Sequence, residues 1–159
     1  IYLPSSLCGG RPQALLPLHT NPAVPEIKKS LSRRLIVKYG TNPEDIGLLV
    51  STLGSTTMGR LESKPGTDLG EIEAALASVL EGMLDLADSV RVSGTSEMVT
   101  VRLSHPRMEY RHTVLHQCLG SPLASIVASL VAEALDKPVV IEREVWEKGT
   151  STIGIRELK

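Results

Sequence analysis

Aromatic residues are almost missing from this chain of 159 residues, which has no phenylalanine, one tryptophan and three tyrosines. Proteins that bind single-stranded nucleic acid stack the bases on aromatic side chains, so this composition argues against that function. Hydrophobic residues still make up 42% of the chain, which argues against disorder. The chain is therefore expected to fold as one domain with a core of Leu, Val, Ile and Ala.

An excess of basic charge is also lacking, because 17 basic residues are balanced by 18 acidic ones and the net charge is −1. DNA-binding proteins normally carry a basic patch or stripe. The cations that do cluster are equally expected of a solvated helix face; they are Lys28, Lys29, Arg33 and Arg34. The sequence therefore predicts no nucleic-acid partner.

Cysteine is scarce, since only Cys8 and Cys118 are present and their spacing does not resemble a disulfide framework. Long apolar runs are lacking too: none reaches the roughly 20 residues that span a bilayer, and no signal peptide is evident. We therefore expect a cytoplasmic protein without a membrane span. Because the sequence begins with Ile1 rather than methionine, we also expect upstream residues to be missing.

Proline is concentrated at the N-terminus, where residues 1–25 hold five of the ten prolines. Since proline interrupts helices and central strands, we expect an extended arm that wraps the domain or reaches a partner, with a disordered tail as the alternative. A short helix from Pro25 to about Ser32 and a β-like run from Arg34 to Tyr39 follow. We assign residues 1–40 to this N-terminal arm and residues 41–159 to the main domain.

Three segments have the pattern of helices. The first begins at Thr41-Asn42-Pro43, a polar cap followed by proline. It continues through apolar residues at helical spacing, namely Ile46, Leu49, Val50, Leu53, Met58 and Leu61. The second is capped by Thr67 or Asp68 and runs to Leu86. The third runs from about Met108 to Leu135, either unbroken or broken near Gly120-Ser121-Pro122.

Two hairpins complete the pattern. Ser89–Ser93 pairs with Met98–Ser104, in which apolar and polar residues alternate as in a strand with one solvated face. Val139–Trp146 pairs with Ser151–Leu158 around a turn at Lys148-Gly149. This order predicts an α+β fold, with an antiparallel sheet built from hairpins and helices packed on one face.

Alanine recurs at every fourth residue of the last helix, at Ala124, Ala128 and Ala132. Small side chains let another helix approach closely, either inside the domain or across a dimer seam. Together with the apolar residues beside them, they lead us to expect a homodimer formed through the helices.

Four stretches share features with a known family. They are the glycine-punctuated LLVSTLGSTTMGRLE, the strand pair VRVSG and EMVTVRLSHP, the helix HQCLGSPLASIVASLVAEAL with Cys118 near its start, and the hairpin VVIEREVWEKGTSTIGIREL. Together they resemble the 4-vinyl reductase domain family, related to ligand-sensing regions of some bacterial regulators and more distantly to TRAPP tethering subunits. The resemblance extends from Asp45 to Leu158. None of these motifs is catalytically specific, so it implies a fold more than a reaction.

The resemblance also bears on zinc. Members that bind zinc carry cysteines four residues either side of the turn glycine, and here Val145 and Ile153 occupy those positions around Gly149. Zinc needs thiolate, imidazole or carboxylate ligands, so we predict no metal cofactor. The alternative is a rebuilt site; its candidates are His112, His116 and Cys118.

The resemblance implies a non-catalytic domain that binds a small hydrophobic molecule in an apolar pocket between the helices and the sheet. The residues expected to line this pocket are Leu49, Leu53, Met58, Met83, Leu115, Cys118, Leu119 and Trp146. One alternative is a protein-interaction module that assembles as tethering subunits do. Another is an accessory factor or reductase in tetrapyrrole metabolism. Motifs of nucleophilic hydrolases and of dinucleotide or phosphate sites are absent from the sequence.

Overall fold

The computed structural model describes residues 1–19, 27, 30–32, 34–61, 63–95, 97–108 and 113–158. Within these ranges the strands are β1 (Tyr2–Leu3), β2 (Gln13–Pro17), β3 (Ile36–Lys38), β4 (Ile46–Val50), β5 (Ser89–Gly94), β6 (Met98–Ser104), β7 (Val139–Glu147) and β8 (Thr150–Glu157). The helices are α1 (Leu53–Met58), α2 (Leu69–Ala77), α3 (Val114–Leu119) and α4 (Pro122–Leu135). A π-helical segment, Ser78–Met83, continues α2.

The strands form one sheet in the order β3-β4-β2-β1-β7-β8-β6-β5. Every pairing in it is antiparallel. The predicted α+β fold is therefore confirmed. Both predicted hairpins are confirmed as well, and the turn between β7 and β8 has positive φ at its two central residues, 37° at Lys148 and 79° at Gly149.

Two hydrophobic cores lie against this sheet. The main core lies between the helices and the sheet and includes Ala14 of β2. The smaller core contains Leu15 and Leu49 together with Cys8 from the turn before β2. Because successive side chains of a strand point to opposite faces, β2 and β4 contribute to both cores.

The α4 helix is the centre of the main core. Eleven of its fourteen residues are buried, and Ala124, Ala128 and Ala132 have no exposed surface at all. The alanine stripe therefore serves internal packing, and it is not available as a dimer seam. The stretch Val114–Leu135 is apolar enough by composition to cross a membrane, but 67% of its most apolar window is buried inside the fold.

The predicted first helix is wrong between Ile46 and Val50, which form β4. Leu49 lies in the smaller core while Val50 packs against the main one, so the strand needs apolar residues on both faces and loses the alternation of a half-solvated strand. The expected helix start is a turn, in which Asn42 N donates to Asp45 Oδ2 at 2.7 Å. Only Leu53–Met58 is helical, and Thr52 caps it.

In the proline-rich stretch, our expectation that it supplies no central strand is wrong; the described residues 1–19 contain β1, a turn and β2. β2 lies inside the sheet, between β4 and β1. This is compatible with proline because Pro12 precedes the strand and Pro17 ends it, so the residues between them keep their N–H donors. The run from Arg34 to Tyr39 contains β3 as predicted. Of the predicted helix from Pro25 to Ser32, residues 25, 26, 28 and 29 lie outside the described residues, and residues 27 and 30–32 are in no helix.

The other predicted helices are confirmed with changed bounds. The second starts at Leu69 and is capped by Asp68, whose Oδ2 accepts a hydrogen bond from Gly70 N at 2.9 Å. The third is interrupted at Gly120, which separates α3 from α4. The alternative with a break is thus the one the structure shows, and residues 109–112 before α3 lie outside the described ranges.

Two carboxylates close the β5 edge of the sheet. Val90 N donates to Glu81 Oε1 and Val92 N donates to Glu73 Oε2, both at 2.7 Å. Arg91 Nη1 adds a hydrogen bond to Glu73 Oε1 at 3.0 Å. The unpaired N–H groups of an edge strand invite pairing with another chain, and here they are occupied.

We expect the hydrogen bonding of Glu73 at the β5 edge to stabilise the protein less at acidic pH. The hydrogen bond from Val92 N–H, helped by Arg91, lowers the pKa of Glu73 below its usual 4.5. A carboxyl whose pKa is lowered on folding stabilises the protein above its unfolded pKa and loses this contribution as the pH falls through its folded pKa. We expect Glu73→Gln to be less stable than the wild type at pH 7, and the difference to shrink as the pH falls below 4.5, as measured by urea unfolding. Glu147→Gln, at an exposed carboxylate without a hydrogen bond among the described residues, should keep the wild-type pH dependence.

The close approach of α1 to α4 depends on Gly54. A Cβ at this position would lie 2.5 Å from the carbonyl oxygen of Ser125, so α1 would have to move. We expect Gly54→Ala to lower the free energy of unfolding by about 1 to 3 kcal/mol, the usual cost of overpacking. Gly82→Ala is the matched control, because a Cβ there meets nothing within 4 Å. Equal stability of the two variants would contradict this packing.

Candidate functional site

The junction between α3 and α4 is a sharp turn at Gly120, with φ 70° and ψ −178°. Glycine adopts this conformation without strain, and a Cβ here would also lie 2.5 Å from Ile141 Cδ1. Ser121 then starts α4 as its cap, its Oγ accepting a hydrogen bond from Ala124 N at 3.1 Å. The turn directs α3 away from the core, and no residue of α3 is buried.

Side chains from two strands fix this junction. The Tyr2 hydroxyl of β1 donates to the Leu119 carbonyl oxygen at 2.5 Å. Glu144 of β7 accepts from Ser121 N at 3.0 Å through Oε2 and from Trp146 Nε1 at 2.9 Å through Oε1. The position of the junction is therefore set by the sheet.

Burial raises the pKa of Tyr2 to about 12, and the negative charge of Glu144 acts in the same direction, while the neighbouring Ser125 hydroxyl opposes it. The phenol thus stays protonated around neutral pH. It acts as a hydrogen-bond donor to the junction and not as a base.

A cleft of about 420 Å³ opens between α1 and this junction; we call it the junction cleft. Its apolar lining residues are Leu53, Leu115, Leu119 and Pro122. Its polar lining residues include Thr52, Thr56, His116, Ser121 and Ser125. Among the described residues, no carboxylate, lysine or arginine lines the cleft, so these residues combine apolar walls with neutral hydrogen-bonding groups and a histidine.

Two of the residues that line the cleft, Thr52 and Ser125, have buried side chains, and Thr52 continues into a cluster of buried hydroxyls. Thr52 Oγ1 lies 3.2 Å from Ser55 Oγ and 3.5 Å from Ser129 Oγ. Ser125 Oγ is buried and makes no hydrogen bond of acceptable geometry with the described residues. The neighbouring Tyr2 phenol donates to the Leu119 carbonyl oxygen. Its own oxygen could accept a proton from Ser125, but the two hydroxyls do not lie in hydrogen-bonding geometry. A buried hydroxyl without a partner costs about 1 to 3 kcal/mol, which a bound polar group would recover.

Three of the residues expected in a hydrophobic pocket line this cleft together: Leu53, Leu115 and Leu119. The cleft lies between α1 and the helix junction, whereas we expected a pocket between helices and sheet. Leu49 does not reach it, because the side chain is directed into the smaller core on the other side of the sheet.

The remaining expected residues lie elsewhere. Met58 belongs to the main core, and Met83 lies 42% exposed on the π-helical segment. Cys118 is exposed on α3 and does not line the cleft. Trp146 packs at the margin of the main core, where Glu144 accepts its indole N–H.

The structure also shows where Val145 and Ile153 lie, the two positions at which zinc-binding members of the resembled family carry cysteines. Val145 pairs with Thr152, and Ile153 pairs with Glu144. Since adjacent residues of a strand point to opposite faces, Val145 and Ile153 could not share one ion even as cysteines. His116 lines the junction cleft, while His112 lies outside the described residues. Within the described ranges no group of three or more His, Cys, Asp or Glu side chains is placed to hold a metal ion.

Sequence reasoning missed Tyr2, Ser125 and Glu144 as residues of this site. Tyr2 is separated from Leu119 by 117 positions, and Ser125 lies among apolar residues of a core helix. Glu144 carried a signal: it is an acid between Ile141 and Trp146, both of which pack against the core. A register shift between Ile141 and Arg143 brings its side chain to the helix side of the sheet.

Removing the carboxylate of Glu144 should loosen the junction. We expect Glu144→Ala to lower the free energy of unfolding by about 1 to 3 kcal/mol, because Ser121 N–H and the indole N–H both lose their acceptor. The emission of Trp146, the single tryptophan, should shift at the same time. Glu142→Ala is the control, since Glu142 is exposed on the same strand and bonded only to Arg156. An unchanged emission spectrum in Glu144→Ala would contradict the assigned contact.

Comparison with known proteins gives one family and no individual relative. No curated protein and no solved structure matches the chain. A family model matches residues 1–156, which include the N-terminal strands as well as the junction cleft. The chain belongs to the family described as a domain of unknown function, DUF7982.

Proposed function

We propose that the protein binds a small hydrophobic molecule with one polar group in the junction cleft, without performing a reaction on it. The observation that carries this proposal is the buried hydroxyl of Ser125, which has no hydrogen-bond partner among the described residues and belongs to the lining of a cleft with apolar walls. A ligand with a hydroxyl or carbonyl group would satisfy that hydroxyl while its apolar part covers the walls.

The size and exposure of the walls support the proposal. Small-molecule sites usually measure about 300 to 1,000 Å³, and this cleft measures about 420 Å³. Leu53 and Leu115 are 55% and 63% exposed. Covering each of them would contribute on the order of 1 kcal/mol at 25 cal/mol per Å² of apolar surface.

The structure also favours a sensing role over simple storage. The junction is bonded to β1 and β7, so that end of the cleft is fixed. The other residues of α3 have no buried side chain to hold them, and elements with few buried contacts open most easily. Binding at Leu115 would therefore order α3 against α1, and this rearrangement would be the signal.

A second candidate function is assembly with another protein, a second copy of this chain included. Leu53 and Leu115 expose apolar surface in the cleft, and Val114, 77% exposed on the same helix as Leu115, adds apolar surface outside it. Since the alanine stripe of α4 is buried, a homodimer would have to form through a different surface, such as this one. Light scattering after size exclusion tests this candidate, and both Val114→Asn and Leu115→Asn should then yield monomers.

The test of ligand binding compares n-alkanols by thermal shift. We expect octanol to raise the melting temperature of the wild type more than octane does, because octanol can bond Ser125. Leu115→Asn should weaken octanol binding about tenfold, which equals about 1.4 kcal/mol. Ser125→Ala should remove the preference for octanol over octane while keeping the response to both.

Val114→Asn is the matched control, since Val114 lies on the same helix but does not line the cleft. Equal loss of binding in Val114→Asn and Leu115→Asn would contradict the proposed site. The absence of a stabilising alkanol, together with the absence of any copurified compound in denaturing mass spectrometry, would contradict the function. The tetrapyrrole role implied by the resemblance stays a prediction, which the visible absorption of the purified protein tests.

A further inference from the structure

A larger concave surface, of about 590 Å³, lies on the side of the sheet that carries the smaller core. It is formed by the turn before β2, the residues before β3 and the end of β4. Its lining residues include two arginines, Arg11 and Arg34. They also include the polar residues Gln13 and Ser51 and the apolar residue Leu35. We call it the arginine groove.

The turn that presents Arg11 is firmly anchored. Gly9 and Gly10 have φ values of 69° and 110°, which L-residues with a side chain rarely adopt. Ser5, at the start of the turn, donates to Glu133 of α4 through both its N–H, at 2.7 Å, and its hydroxyl, at 2.6 Å. Gly10 N then donates to Ser5 O at 3.0 Å.

The opposite side of the groove is equally anchored. Leu35 O accepts a hydrogen bond from Leu49 N of β4 at 2.8 Å, and Arg34 N donates to Ser32 O at 2.8 Å. Both arginines therefore start from a fixed backbone, although their side chains are exposed.

The charge of the groove is not balanced. Among the described residues, neither Arg11 nor Arg34 has an ion-pair or hydrogen-bond partner for its side chain. By contrast, Arg91, Arg107 and Arg156 each bind a carboxylate. Within the described part of the chain, no Asp or Glu lines the groove. Cys8, also in the lining, stays a neutral thiol because burial raises its pKa to about 11.

We propose that the arginine groove binds a small organic anion, with a carboxylate or phosphate held by the two guanidinium groups. Guanidinium groups bind both kinds of head group through paired hydrogen bonds. The rest of the groove fits a short apolar tail, because Leu35 is 64% exposed; Leu49 and Cys8 also line the groove but are almost fully buried. The Gln13 amide and the Ser51 hydroxyl, 3.5 Å apart, offer further polar contacts.

This site is independent of the ligand proposed for the junction cleft. The two linings share only Ser51 among the described residues, and the cleft has no cation in its lining. Leu115→Asn should therefore leave anion binding unchanged, and the arginine variants should leave octanol binding unchanged. Failure of one proposal is thus distinguishable from failure of the other.

The test is a calorimetric and NMR titration of the full chain with inorganic phosphate, acetate, hexanoate and hexanol. We expect phosphate or hexanoate to bind, hexanoate to bind more tightly than acetate, and hexanol to leave the groove amides unshifted. Arg11→Gln and Arg34→Gln should each weaken anion binding about tenfold, and the double variant should abolish it. The tighter of phosphate and hexanoate identifies the head group.

Arg102→Gln is the matched control, because Arg102 is an exposed arginine of β6 without an ion-pair partner among the described residues. It should bind the anions as the wild type does. Equal weakening in Arg102→Gln would show binding to surface charge in general and would overturn the proposal. The same holds if no anion shifts the groove amides, or if the Arg11 and Arg34 variants, folded by their melting temperatures, bind as tightly as the wild type.

Discussion

The structure depends on the need to bury α4 on every side. This helix carries apolar or small residues around its whole circumference, and such a helix is stable only inside a core. β1, β7 and β8 cover it on one side and α1 and α2 on the other. Its serines and alanines let α1 approach to the distance that Gly54 permits. A helix this deeply covered determines where the other elements lie.

The junction cleft lies where this burial ends. The first N–H groups of a helix have no partner within it, so the start of α4 needs other acceptors. Ser121 Oγ accepts from Ala124 N, and the Glu144 carboxylate accepts from Ser121 N itself. The Gly120 turn that makes this capping possible leaves α3 on the surface. The exposure of Leu115 is therefore a consequence of how α4 begins.

The hairpins were predictable because the two faces of a strand such as β6 differ in polarity. In β6, Val99, Val101 and Leu103 are buried while Arg102 between them is exposed, and alternation of this kind is visible in a sequence. β4 was not predictable by the same means. Leu49 and Val50 face two different cores, so the strand shows a run of apolar residues whose spacing also fits a helix. The smaller core that causes this is formed by residues far away in the sequence, such as Cys8 and Leu31.

The apolar walls of the cleft could be predicted, but its polar groups could not. Leu53, Leu115 and Leu119 are apolar residues of predicted helices. Tyr2 reaches the junction only because β1 pairs with β7 at Val139, and no local pattern encodes a pairing over that distance. Ser125 resembles any small residue of a buried helix in the sequence. Only the structure shows that its hydroxyl has no hydrogen-bond partner among the described residues.

The strand that sequence analysis missed is also the one that separates the two proposed sites. Because β4 is extended, Leu49 and Val50 point to opposite faces of the sheet, and the chain emerges from the strand at Ser51, which both linings share. A helix in this segment would have placed Leu49 and Leu53 on one face, as we first expected. The strand instead places Leu53 in the junction cleft, beside neutral hydroxyls, and Leu49 in the arginine groove, together with Arg11 and Arg34. The two proposed ligands, one neutral and one anionic, therefore belong to opposite sides of one sheet.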